Sequence, residues 1–209
     1  MAIARKILAR REENIRVALR NEKGGCDCSR RVVLGTALGL LPWWAASSKA
    51  DGDQDPTEIL PQAGDHFVYL VGPMEGQVVK SADVAEGGPI QVYPADPSGR
   101  VRDGSRLNLV ILTRVDTTGV SPETLARSAD GVVAYSGVCT HQGCPVNTWS
   151  TERAAFHCSC HGSVYNPKDG AEVLEGPAPR PLPALPLKAA DGVLLVASGF
   201  TGAVGPTPN

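Results

Sequence analysis

The 209-residue sequence predicts an all-β head, a small sandwich or barrel, preceded by an N-terminal helical anchor or export signal. Three observations point there. Short runs rich in β-branched and aromatic residues recur from His66 onward, each bounded by turn residues. Gly 23 and Pro 17 exceed the usual content of a helical protein and suit loop-rich β architecture. The formal charge of −2 is also unevenly spread: residues 1–50 hold ten Lys/Arg against four Asp/Glu, which leaves ten against eighteen for the remainder. A basic leader thus precedes an acidic domain, and nucleic acid is disfavoured as a partner of that domain.

Residues 1–28 read as a basic cytoplasmic segment. Ile3, Ile7, Leu8, Ile15 and Leu19 recur at helical spacing among Arg5, Lys6, Arg10, Arg11, Arg16 and Arg20, so an amphipathic helix on an anionic membrane surface and a solvated tail both fit. Cys26 and Cys28 form a lone C-x-C with no nearby His, the pattern of incidental thiols. Over residues 29–50, Ser29-Arg30-Arg31 followed by the apolar run Val32 to Ala46 reads as a twin-arginine export signal. The run falls short of the ~20 residues a spanning helix prefers. Small residues at Ser48 and Ala50 suit cleavage after Ala50, whereas Trp43 and Trp44 suit a retained anchor at a membrane interface. Residues 51–64, with Asp51, Asp53, Asp55, Pro56 and Pro61, read as a linker.

The head begins at residue 65. Strands are expected over His66–Val71, Pro89–Tyr93, Leu107–Arg114, Val132–Val138, Ala155–Cys158 and Val193–Ala197. Asp96 to Ser105, with Pro97, Gly99 and Gly104, reads as a hairpin connection. Ser121 suits an N-cap and Pro122 the first helical position, so a short helix through Arg127 is expected, an insert within 117–130 with no chemistry assigned.

The chemistry concentrates in Cys139–Tyr165, which reads CTHQGC, thirteen residues, then CSCHGSVY. Cys139, His141, Cys144, Cys158, Cys160 and His161 are all soft or borderline metal ligands, and two Cys-plus-His pairs on two loops can close around one tetrahedral ion or a binuclear cluster. A single zinc would use four of the six and leave Cys144 and Cys160 idle, and the spacing fits no common finger. The double box resembles the Rieske iron–sulfur family, high-potential type, in which two Cys hold one iron of a [2Fe–2S] cluster and two His hold the other. The resemblance covers about residues 80 to 200 and is sharpest over 131 to 183.

The resemblance implies a cluster-binding loop subdomain at the tip of a β-fold carrying one [2Fe–2S] cluster. Cys139 and Cys158 would ligate the inner iron, His141 and His161 the outer one, and Cys144 and Cys160 would form a disulfide between the loops. Ser163 and Tyr165 stand where high-potential members donate hydrogen bonds to cluster or ligand sulfur, which pulls the potential upward. Gly143 and Gly162 are expected to let the backbone approach the cluster, and Gly176-Pro177-Ala178-Pro179 matches the loop that covers it in quinol-oxidising members. Gln142 stands where respiratory bc complexes often carry Leu, and Ser159 where Pro is frequent.

The function implied is an electron-transfer subunit of a quinol–cytochrome c oxidoreductase on the periplasmic face of a bacterial inner membrane. Its partners would be cytochrome b, a c-type cytochrome and quinol, with His161 and His141 as the groups of proton-coupled electron transfer. The alternative is the small relay subunit of a periplasmic molybdenum oxidase, similar to that of arsenite oxidase, beside a molybdopterin catalytic subunit; the polar Gln142 suits it. A Rieske oxygenase is excluded by inventory: outside the boxes only His66 and His157 remain, too few for a separate two-His, one-carboxylate iron site.

Overall fold

Each of the six runs marked as a strand by its β-branched and aromatic residues overlaps one, and four further strands form among the described residues. The computed structural model describes residues 54–207. The expectations for 1–28, for 29–50 and for the first residues of the linker lie outside the described residues. Within them the strands are β1 His66–Tyr69, β2 Ile90–Ala95, β3 Val110–Arg114, β4 Val132–Ser136, β5 Thr148–Ser150, β6 Ala155–Cys158, β7 Ser163–Asn166, β8 Glu172–Glu175, β9 Leu187–Ala190 and β10 Val193–Val196. One sheet runs β4-β3-β2-β1-β10-β9 and the other β5-β6-β7-β8. Every pairing of named strands is antiparallel. The fold is all-β, as the sequence predicts, and among the described residues no helix is long and apolar enough to cross a membrane.

Two adjacent strands explain how a large sheet carries a small one. In β3, Val110 and Leu112 point into one apolar core and Ile111 into another; in β4, Val132 and Ala134 join the first, Val133 and Tyr135 the second. Successive side chains leave a strand on opposite faces, so a continuous apolar run is what a strand buried on both sides requires. The second core also takes in Val146, Phe156, Tyr165, Leu182 and both Cys139 and Cys158. Cys139 and Cys158 are therefore part of the packing that joins the small sheet to the large one.

Expected and observed boundaries differ for local reasons. The run expected to start at Leu107 opens instead with a 3-10 turn, Arg106–Asn108, capped by Ser105, whose hydroxyl accepts a bond from the Leu107 N–H at 3.2 Å. β4 stops at Ser136, whose hydroxyl accepts from the Val138 N–H at 3.2 Å and turns the chain toward Cys139. The helix α1, Pro122–Arg127, forms as expected, with the Ser121 hydroxyl accepting from the Thr124 N–H.

The described part of the polar stretch before the head lies along it. Arg102 and Asp65 form a bidentate pair at 2.7 and 3.1 Å, with Asp65 1 % and Arg102 8 % exposed. Arg102 also donates to the Pro56 carbonyl, and the Asn108 amide donates to the carbonyls of Thr57 and Ile59. Gly104 permits the approach, since a Cβ there would collide with the Thr57 side chain. Arg102→Met leaves a buried carboxylate without its partner, a change that costs about 3–5 kcal/mol. Chemical denaturation of the variant is expected to show that loss with an unchanged m-value.

Candidate metal centre

The site is built from two loops that leave the second core side by side. The first, Cys139–Cys144, follows β4 and closes on itself: the Cys139 N–H donates to the Cys144 carbonyl at 2.8 Å and the Gly143 N–H to the Cys139 carbonyl at 2.9 Å. The second is the hairpin between β6 and β7, where Cys158 pairs with Ser163 and the Gly162 N–H donates to the Cys158 carbonyl at 3.0 Å. Gly143 and Gly162 have φ of +75° and +78°, so each loop needs glycine to complete its turn. An added Cβ on Gly162 would meet nothing within 4 Å, and one on Gly143 would meet the Arg106 guanidinium at 3.0 Å.

A disulfide joins Cys144 to Cys160 across the loops, Cα to Cα 6.6 Å. Cys139 and Cys158 are free and buried. The sulfurs of Cys144, Cys158 and Cys160 lie within 4.8 Å of one another, but two of them are bonded, so no three-thiolate site exists there. The His141 and His161 rings stand together, centroids 4.6 Å apart and planes perpendicular, His161 exposed and His141 half-buried. Nδ1 of His141 is buried with no hydrogen-bond partner. An orphaned buried ring nitrogen costs roughly 1–3 kcal/mol unless something takes its lone pair or proton. Two buried thiols on the inner side, two imidazoles on the outer side and one orphaned ring nitrogen fit a [2Fe–2S] group with mixed Cys and His ligation. His157 is accounted for otherwise: Nδ1 lies 3.1 Å from the Thr148 hydroxyl, which itself donates to the His157 carbonyl.

Around the thiols the polar groups are few and committed. The Tyr165 hydroxyl, fully buried, lies 3.1 Å from the Cys139 sulfur and 3.4 Å from the Thr140 hydroxyl. Burial and the bond to Cys139 push the Tyr165 phenol far above its ordinary range, so it stays protonated and serves as a donor. Burial likewise pushes the Cys158 thiol up, a tendency that a coordinated cation reverses, because a coordinating thiol is deprotonated outright. The Ser163 hydroxyl oxygen accepts from the Ala178 N–H at 3.2 Å, which leaves its own hydrogen for a second acceptor.

That contact brings the 176–179 loop over the second box. Gly176 has φ of +94°, and a Cβ there would fall 2.5 Å from the Ser163 Cα and 2.7 Å from its nitrogen. Of the glycines near the site, it is Gly176 that a close approach of backbones requires. To the residues singled out by the sequence the structure adds Thr140, Arg106 and Arg180, and it gives Gly176, already marked there, its close approach to Ser163. Gly-Pro at 176–177 was a legible turn signal; nothing in the sequence marks the two arginines.

Hydrogen bonds to a sulfur that gains negative charge on reduction favour the reduced form. Tyr165→Phe and Ser163→Ala are therefore each expected to lower the reduction potential. Taking a bond to a charged group as ~1.5–3 kcal/mol, the one-electron shift is on the order of 65–130 mV per variant. Protein-film voltammetry of the two variants and their combination checks both the sign and the additivity.

Residues 77–186, just over half of the chain, match the family model described as the Rieske [2Fe-2S] domain. A protein of Haloferax mediterranei named as a Rieske subunit of a respiratory nitrate reductase is 33% identical over 66% of this chain and 60% of its own length. The cytochrome bc1 complex Rieske iron-sulfur subunit of Streptomyces lividans is 42% identical over 38% of this chain and 47% of its own. Among solved structures, the plasma membrane Rieske protein PetC3 of Synechocystis PCC 6803 aligns with a TM-score of 0.33 at 27% identity, over 52% of this chain and 85% of that one. The match spans 60% and 47% of the length of these two curated relatives. The matched segment contains both loops and the residues that support them, and the chain belongs to the Rieske [2Fe–2S] family, with that cluster as its cofactor.

Proposed function

We propose that this chain is the electron-transfer Rieske subunit of a membrane bc-type complex, taking electrons from quinol and passing them to a c-type cytochrome. In this reading Cys139 and Cys158 hold the inner iron and His141 and His161 the outer one. The bound cluster supplies one-electron chemistry at a potential that two neutral imidazole ligands raise above that of all-Cys centres. The observation that carries the proposal is the polarity of the site: both thiols are buried in the second core, whereas the His161 ring is exposed at the outer end. An exposed imidazole can hydrogen-bond a quinol hydroxyl and accept its proton, while the disulfide and the 176–179 loop hold the surrounding backbone. Relatives named as bc1 subunits support this placement.

The Arg30-Arg31 signal supports export of the folded head by the twin-arginine route to the periplasmic face of an inner membrane, its leader retained as an anchor or cleaved after Ala50. A second reading, a relay beside a catalytic reductase rather than a cytochrome b, draws on the name of the Haloferax relative; arsenite oxidase gains no support from the comparisons. Affinity purification of the tagged chain from its native membranes separates the two. Co-purified cytochrome b with quinol-dependent cytochrome c reduction, abolished by His161→Ala, supports the first. A molybdopterin protein in place of cytochrome b overturns it.

A further inference from the structure

The guanidinium of Arg180 reaches away from the site, yet it ties down the first cysteine loop. Its two terminal nitrogens donate to the carbonyls of Ala203, at 2.6 Å, and of Gly205. Its own carbonyl accepts the Thr140 hydroxyl at 2.7 Å, and Thr140 adjoins both Cys139 and the Tyr165 hydroxyl. The segment it holds then closes on the same loop from outside. An added Cβ at Gly143 would lie 3.3 Å from the Pro206 ring, and one at Gly205 would lie 3.5 Å from the Val138 side chain, one residue before Cys139. Arg106 completes the enclosure by donating to the Gly143 carbonyl at 3.2 Å. Upstream the segment is pinned by Thr201, whose N–H donates to the Ala184 carbonyl and whose hydroxyl accepts from the Ala184 N–H.

We infer that Arg180 is a positioning residue for Cys139, and that residues 203–206 are the strap through which it acts. The physical case rests on how the two ends of this arginine are used. Both fork nitrogens are spent on carbonyls of one short segment, a preorganised arrangement that Lys cannot reproduce with a single ammonium. Its backbone carbonyl meanwhile fixes the residue between Cys139 and His141. Release of the side chain frees the strap, and the 176–180 loop and Thr140 lose their outer support together. The Tyr165 hydroxyl, at 3.1 Å from the Cys139 sulfur, then no longer has a fixed acceptor. A weaker bond to that sulfur makes the reduced form less favourable.

The inference rests on Cys139 as an iron ligand, and the experiment separates the two. The full chain is prepared as wild type, Arg180→Met, Arg180→Lys, a form ending at Gly202, and that truncation combined with Arg180→Met. Iron and acid-labile sulfide are measured first: their absence from wild type overturns the ligand assignment itself. With wild type loaded, Arg180→Met is expected to lower the reduction potential by about threefold in the one-electron constant, ~28 mV, and to speed cluster loss to a chelator. The truncation should match it and the double variant should add nothing, because both remove one interaction. Arg180→Lys should recover only part of the shift. An unchanged or raised potential in Arg180→Met, or full additivity with the truncation, overturns the strap; a fall in melting temperature alone would mark Arg180 as merely structural and overturn it equally.

Discussion

Cys139→Ser is expected to abolish cluster binding while leaving most of the large sheet folded. The serine hydroxyl is nearly isosteric but is a far harder and more weakly acidic ligand than a thiolate, so iron is lost. Cys139 is 2 % exposed and packs in the second core with Val146, Phe156 and Tyr165. Ser there buries a hydroxyl beside the Tyr165 phenol, which offers a partner, so the added penalty is that of a polar substitution and not of a cavity. The first core, with Phe67, Val92, Leu112 and Leu194, does not include the site. The purified variant should therefore be colourless, with iron and sulfide near zero, and yet keep the far-ultraviolet signature of a β protein. Cys144→Ser with Cys160→Ser makes the comparison: it removes a bridge closing a loop of 16 residues, worth about 3 kcal/mol by chain entropy, without removing a ligand. A Cys139→Ser protein that retains two irons would sink the ligand assignment.

The same contrast shows what the chain announces and what it hides. The six Cys and His of the two boxes are legible because their chemistry is rare and their spacing fixed by two short loops. β3 and β4 are legible because burial on both faces selects Val, Ile and Leu at successive positions. The missed strands β8 and β9 lack any such selection. β8 reads Glu-Val-Leu-Glu, exposed along most of its length, and is held by its register to β7. β7 hides inside the motif, where Ser163 and Tyr165 attract a functional reading that says nothing about strand geometry. β9 begins with a buried Leu187 and continues as exposed Lys-Ala-Ala, residues of low strand preference that tertiary pairing with β10 overrides. Arg106 and Arg180 were invisible for a different reason. Each acts on a carbonyl 37 or about two dozen residues away, and a carbonyl carries no sequence identity.

Gly176→Ala is expected to do more damage than its size suggests, and a second glycine isolates the cause. Two penalties meet at this position. The backbone sits at φ of +94°, where an L-residue costs roughly 1–2 kcal/mol. The new methyl would also fall 2.5 Å from the Ser163 Cα and 2.9 Å from the Gly162 carbonyl oxygen, atoms of a paired hairpin that cannot rotate aside. Overpacking of that kind costs typically ~1–3 kcal/mol, so a total of about 2–5 kcal/mol is expected. The chain has a cheaper response than unfolding, which is to lift the 176–179 loop. That movement breaks the Ala178 N–H bond to the Ser163 hydroxyl and frees Ser163 to turn away from the cluster side, so stability and reduction potential should fall together. Gly192→Ala, in the turn between β9 and β10, is the control, since φ there is +75° but the added methyl meets nothing within 4 Å. It should show only the backbone penalty and leave the potential near the wild-type value. Equal losses in the two variants would mean that the close approach of Gly176 to Ser163 contributes nothing, and that the loop's hold on Ser163 is not what sets the potential.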